Sequence, residues 1–167
     1  MWHALVDWDE RVSGHLRFRG TAGSCRRLAI LIAHVGDGWL WLLGWGVAYA
    51  LGDETLRRGV LRWVAAALLA AGVVGATKLV LRRQRPTEAP GFYSVRYDAH
   101  SFPSGHAARM GVAAFLGPLV FPTWGWLGLP CALLVAWARV ALGLHYVLDV
   151  AVGLSLGASA ALAVCWL

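Results

Sequence analysis

Charge is scarce in this 167-residue chain. Asp, Glu, Lys and Arg together make up 14% of it, against roughly a quarter in soluble domains. With 59% hydrophobic residues and a mean hydropathy of +0.59, an ordinary soluble fold is not expected. Cysteine is also sparse. Cys25, Cys131 and Cys165 are odd in number, scattered and without a CxxC spacing, which argues against a disulfide scaffold or a zinc site and leaves them as small apolar filler. Residues 1–27 lack the apolar core of a cleavable signal peptide, since Asp7, Asp9, Glu10 and several Arg interrupt them.

Tryptophan, by contrast, is abundant at ten residues. Its ring suits the apolar side of a membrane–water interface and its N–H the wet side. The net charge of +6 and pI near 9.9 would suggest nucleic acid in a soluble protein. No soluble basic module is left once the apolar runs are set aside, so no nucleic-acid partner is expected. An excess of Arg and Lys on one membrane side, and affinity for anionic headgroups, account for the charge.

A membrane crossing needs about 20 apolar residues. Five candidates fit: 29–51, 60–81, 106–121, 124–142 and 147–167. The expected fold is an all-α integral membrane protein of about five transmembrane helices. Asp37, between two glycines, suggests that the buried part of the first span begins late. Pro122 and Thr123 make a tight turn between the third and fourth, and Asp53 stands where an N-cap belongs before the second. Residues 1–27 read as an N-terminal amphipathic interfacial helix that covers part of the bundle, with Trp2, Leu5, Val6, Trp8, Val12, Leu16 and Phe18 among polar residues; a solvated tail is the bland alternative. The remaining domain is 28–167. Its one sizeable polar loop is 82–105, and long loops that are not spacers tend to be functional.

Parity brings distant segments together. The second span ends on the face where the third begins. The fourth returns to that face near residue 142 and the fifth leaves it near 147. Polar clusters at 78–86, 101–106 and 139–149 therefore share one membrane face, together with the start of the first span.

The first cluster, "KLVLRRQRP", carries Lys78, Arg82, Arg83 and Arg85 before the helix-stopping Pro86. Such cations can simply snorkel or hold headgroups. The second, "SFPSGH", puts Ser104, Gly105 and His106 at the start of an apolar helix, where unpaired N–H groups and the helix dipole suit a phosphate, although a plain helix cap reads equally well. In the third, "ARVALGLHYVLD", His145 and Asp149 are four apart and share a helix face. A carboxylate on one imidazole nitrogen fixes the tautomer and leaves the other as base or nucleophile. Arg139 would lie on a different face of a continuous helix, so the chain must turn, and Gly143 is the place. Structural satisfaction of a buried His is the alternative. Cations, helix N–H groups, two His and an Asp on one face are what phosphoryl transfer needs. The lack of a carboxylate cluster argues against a two-metal mechanism.

Taken in order, the clusters resemble the three motifs of the type 2 phosphatidic acid phosphatases, integral-membrane relatives of glucose-6-phosphatase and the vanadium haloperoxidases. Those motifs are Lys, six residues, Arg-Pro; Pro-Ser-Gly-His; and Ser-Arg, five residues, His, three residues, Asp. Every spacing matches, and the resemblance extends from about residue 30. One position departs: Ala138 stands where the family has Ser before the motif Arg. The resemblance implies that His145 attacks phosphorus to form a phosphohistidine, that Asp149 orients its ring, and that His106 protonates the leaving oxygen. Lys78, Arg85, Arg139, Ser104 and the Gly105 amide would hold the phosphate, with no metal or cofactor. Arg82 and Arg83 are outside the motifs and read as headgroup contacts or orientation signals.

The family implies hydrolysis of a phosphomonoester or diphosphate on a lipid. Bacterial members of this size suggest a polyprenyl diphosphate, a polyprenyl-phosphoryl sugar phosphate, phosphatidylglycerol phosphate or phosphatidic acid, in the plasma membrane. Arg11, Arg17, Arg19, Arg26, Arg27, Arg82, Arg83 and Arg96 on the catalytic side outnumber Arg57, Arg58 and Arg62 opposite. The positive-inside bias then assigns the site, and the N-terminus with it, to the cytoplasm. A phosphotransferase would use the same residues with another acceptor. A non-catalytic scaffold or lipid transporter would have lost the two His and the Asp. Oligomeric state is not legible.

Overall fold

A computed structural model describes residues 2–18, 20, 23–86 and 99–166. Among these there is no strand. The helices are α1 (Trp2–Leu16), α2 (Ser24–His34), α3 (Gly38–Leu51), α4 (Glu54–Leu81), α5 (Gly105–Val120), α6 (Gly128–Ala141) and α7 (Val147–Cys165), with one 3-10 turn (Gly125–Leu127) before α6. The middle of the expected catalytic loop, 87–98 with Arg96, lies outside the described residues, as do Arg19 and the Trp2 side chain.

Two helices, α4 and α7, are long and apolar enough to cross a membrane, and a third crossing follows if α2 and α3 form one span. The stretch 29–51, expected as one helix, is two helices bent by 50° at residues 35–37. Asp37, at that bend, is 6% exposed, inside the fold. The outward faces are apolar, as lipid contact demands: Leu51, Val80, Leu68 and Leu42 are all exposed.

Asp53 caps α4 as its sequence position indicates, accepting the Leu56 amide at 2.8 Å. The turn after α5 falls at 122–124. Centrally, α5 packs against α7 along small residues. A Cβ at Gly157 would collide with the Ala108 carbonyl, one at Gly111 with that of Leu154, and one at Gly153 would stand 2.5 Å from the Ser104 oxygen. Close backbone approach through glycine is the usual means of joining helices in a membrane, where no hydrophobic force drives them together. Met110, Val112 and Leu116 of α5, Ala160 and Ala161 of α7, and Trp63, Ala66 and Ala70 of α4 fill the core around this seam. The consequence is local: the first turn of α5 and the first turn of α7 are held side by side.

The amphipathic α1 lies against α6 and α7. Its inward face is polar. Asp9 and Ser13 are fully buried, while Leu5, Trp8 and Leu16 are exposed. Asp9 Oδ1 accepts the Leu148 amide at 3.0 Å and Ser13 Oγ accepts that of Val147 at 2.9 Å. These are the unpaired N–H groups at the start of α7. The first helix therefore caps the last.

Candidate active site

The third motif bridges the end of α6 and the start of α7. Gly143 has φ of 72°, in the left-handed region that glycine adopts without strain, and the chain turns there as the spacing predicts. The amides of Leu144 and His145 both donate to the Arg139 carbonyl, at 3.0 and 3.2 Å. This fold-back brings Arg139 Nη2 to 3.4 Å from His145 Nε2. An arginine can only donate, so Nε2 presents its lone pair and the ring proton belongs on Nδ1. Nδ1 faces Asp149 Oδ2 at 3.5 Å. That is longer than a good hydrogen bond, as catalytic contacts commonly are before substrate binds.

His145 is 1% exposed and Asp149 fully buried. Burial and the neighbouring charges of Arg139, Arg85, Lys78 and His106 hold the His145 imidazole well below its ordinary pKa of 6.5, in the neutral state. All four of those groups act on one ring, so three motifs far apart in sequence meet at His145. Arg85 is fixed in place by donating from Nη1 to the Leu144 carbonyl at 2.9 Å. Lys78 stands in the last turn of α4.

The second motif sits where α5 begins. Ser104 is its N-cap, fully buried, and Oγ accepts the Ala107 amide at 3.4 Å. The Ser104 amide donates to the Asp149 carbonyl at 2.9 Å, which locks the two helix starts together. At Gly105 an added Cβ would meet nothing nearer than Val74 at 3.8 Å, so the fold's own packing does not demand glycine there. His106 is engaged through Nε2 with Asp37 Oδ1 at 2.9 Å.

Three partners escaped the sequence reading. Arg83 was expected as a headgroup contact or an orientation signal; its side chain is 19% exposed, with Nη1 2.9 Å from Asp149 Oδ1 and 2.8 Å from Asp9 Oδ2. Its guanidinium also lies 3.9 Å from the Tyr146 ring centre. Asp9 and Asp37 were the others. For Asp37 a signal existed, an acid inside an apolar run. For Arg83 and Asp9 none did, because their contact spans regions with no fixed register between them.

With the geometry described, the comparisons can be placed. The chain belongs to the PAP2 superfamily, whose family model matches residues 59–167 and so takes in all three motifs. With the family comes the class: a phosphoric ester hydrolase acting on lipid phosphates, held in a membrane. A decaprenylphosphoryl-5-phosphoribose phosphatase of Mycobacterium tuberculosis is 34% identical over 134 residues, covering 77% of this chain and 72% of that protein. The fold is shared with a PAP2-type phosphatidylglycerolphosphate phosphatase from Bacillus subtilis, at TM-score 0.80 and 24% identity over 97% of this chain and 85% of the other. Aquifex aeolicus LpxE shares it at TM-score 0.74 and 19% identity, over 95% and 93% of the two chains.

Proposed function

We propose that this chain removes phosphate from a polyprenyl-linked phosphate or diphosphate through a phosphohistidine on His145, without a metal. The observation that carries this is the convergence on one imidazole: His145 Nε2 presents its lone pair beside Arg139, with Lys78, Arg85 and His106 near enough to act electrostatically on the same ring. Attack by Nε2 on phosphorus forms the P–N bond as the P–O bond to the lipid breaks. Asp149 faces the Nδ1 proton and stabilises the positive charge the ring acquires. His106 protonates the leaving oxygen, then takes a proton from the water that releases inorganic phosphate. Lys78, Arg85 and Arg139, the Ser104 hydroxyl and the Gly105 amide neutralise the charge on the phosphoryl oxygens. The open space over Gly105 supports an anion approaching its backbone. Ala138 leaves one phosphate-side hydroxyl out of this set.

The relative from Mycobacterium tuberculosis supports a polyprenyl-phosphoryl substrate over phosphatidylglycerol phosphate or phosphatidic acid. We read about five crossings, counting the bent α2–α3 pair, α4, α5, α6 with its 3-10 turn, and α7. In this reading residues 1–27 form an interfacial segment on the catalytic face and 28–167 the phosphatase domain. The face is cytoplasmic, in a bacterial plasma membrane, by the remaining Arg bias.

The test is phosphate release by detergent-purified protein in EDTA. The substrates are a polyprenyl diphosphate, a polyprenyl-phosphoryl sugar phosphate, phosphatidylglycerol phosphate and phosphatidic acid. Release from a polyprenyl substrate well above the glycerolipids is expected. Preference for a glycerolipid overturns the substrate. Silence on all four from folded protein overturns the hydrolase reading in favour of transfer to an acceptor.

A further inference from the structure

The sequence Gly36-Asp37-Gly38 breaks the first apolar run, and the mechanism above makes no use of it. A carboxylate placed there is costly unless it has a task. Asp37 Oδ1 lies 2.9 Å from His106 Nε2, and Oδ2 lies 2.7 Å from His34 Nδ1 and 3.3 Å from the Trp39 indole nitrogen, which donates to it. The break is shaped around the start of α5. A Cβ at Gly36 would stand 2.9 Å from His106 Cδ2, and one at Gly38 would stand 3.3 Å from Arg109 Nη2. Arg109 in turn donates to the Gly36 carbonyl. The bend, both glycines and the buried acid all serve the same contact with α5.

We propose that Asp37 is the positioning residue of His106, giving the site a second Asp–His pair opposite His145 and Asp149. The inference rests on the phosphatase reading above. As the P–O bond to the lipid breaks and the P–N bond to His145 forms, the His106 imidazolium gives its proton to the leaving oxygen. Neutral His106 then accepts a proton from the attacking water, so the cycle closes. Asp37 stays ionised throughout. Its charge favours the imidazolium, and its hydrogen bond, held from behind by His34 and Trp39, aims the ring. Among the described residues, Arg109 on α5 and Arg139 on α6 are charges near His106, with neutral His145 beyond; like charge opposes the imidazolium and a counter-ion favours it.

Asp37→Asn keeps the shape and removes the charge. Against a polyprenyl-phosphoryl sugar phosphate, whose sugar alkoxide leaving group needs a proton, kcat is expected to fall about tenfold or more while KM stays within about twofold. Against p-nitrophenyl phosphate, whose leaving group departs without protonation, the loss is expected to be small. The alkaline limb of kcat should move to lower pH, because the acid loses its proton sooner. On a His106→Ala background Asp37→Asn should add nothing. Gly36→Ala, which pushes a methyl at the His106 ring, is expected to give the same selective loss and serves if Asp37→Asn does not fold. Equal losses on both substrates, additive losses with His106→Ala, or an unchanged kcat would overturn the assignment while leaving an active wild type intact. Folded wild-type protein inactive on p-nitrophenyl phosphate and on all four lipids above would overturn the phosphatase reading, and this inference with it.

Discussion

Arg83 Nη1 stands 2.9 Å from Asp149 Oδ1, and the same nitrogen stands 2.8 Å from Asp9 Oδ2 of the first helix. The other Asp149 oxygen accepts the Tyr146 amide at 2.9 Å. Asp149 is thus held on both oxygens while it faces His145. A buried carboxylate without such partners would favour its neutral form and lose its hold on the imidazole. The cation belongs to no motif, yet it links the first helix, the end of α4 and the start of α7.

Arg83→Gln removes the charge from this link. Turnover is expected to drop about tenfold, equivalent to ~1.4 kcal/mol of barrier, with KM little changed because the phosphate cations remain. Arg83→Lys keeps the charge but not the planar guanidinium that lies against the Tyr146 ring, and should recover only part of the loss. Steady-state kinetics on the preferred lipid decide it; a pure KM effect would return Arg83 to a headgroup role.

Asp9→Ala and Ser13→Ala each uncap an amide at the start of α7. A lost cap costs about 1 kcal/mol, and Asp9→Ala also strips a partner from Arg83, so it is expected to be the worse of the two. Thermal unfolding in detergent should show both lowered, in that order. Wild-type melting from Asp9→Ala would mean that α1 is not tied to the bundle.

His145→Ala is expected to abolish turnover, and Asp149→Asn to cost orders of magnitude through ring misorientation, as loss of the Asp does in a serine hydrolase triad. The decisive experiment is an alkaline SDS quench with labelled substrate. Acid-labile, base-stable label on wild type and none on His145→Ala supports a phosphohistidine; label on His106 would exchange the two roles.

Gly157 lies against the Ala108 carbonyl with no room for a methyl. Gly157→Ala is expected to part α5 from α7 at a cost of about 1–3 kcal/mol. Because Ser104 and Asp149 are held together by that same seam, melting temperature and kcat should fall together.

The eight candidate motif residues were legible because their chemistry travels with local spacing: Ser104 before a helix, Gly143 where Arg139 and His145 required a reversal, and His145 four residues before Asp149, although His145 lies on the turn before α7 and not on a shared helix face as expected. Parity of the apolar runs then put the motifs on one face. The bend at Asp37 was not legible, since an apolar run on both sides looks the same whether the helix continues or breaks. The inward polar face of α1 was hidden for a different reason. Its Leu and Trp residues suggest burial against protein, but in a membrane the outside is also apolar, so hydrophobic pattern does not say which face turns inward. Arg83 differs from Arg82 by one residue; only the C-terminal turn of α4, where Arg82 takes φ of 46°, sends one outward and the other to Asp149.

The state of His145 sets the pH dependence. Its pKa lies well below 6.5 in the folded protein, from burial first and then from Arg139, Arg85 and Lys78. A nucleophile must be neutral, so its fraction stays near complete as pH falls through 6.5, and the acid limb of kcat/KM is expected below that value. The substrate phosphate also titrates, at about pH 6, so wild type alone does not isolate the ring. Lys78→Met does. Removing one cation lets the imidazole protonate more readily, and its limb is expected to move to higher pH while the substrate's own titration stays fixed. KM should rise as well, because the same ammonium holds phosphate. A limb that stays put in Lys78→Met, with KM raised, would mean that the acid limb belongs to the substrate and that the clamp acts on phosphate alone.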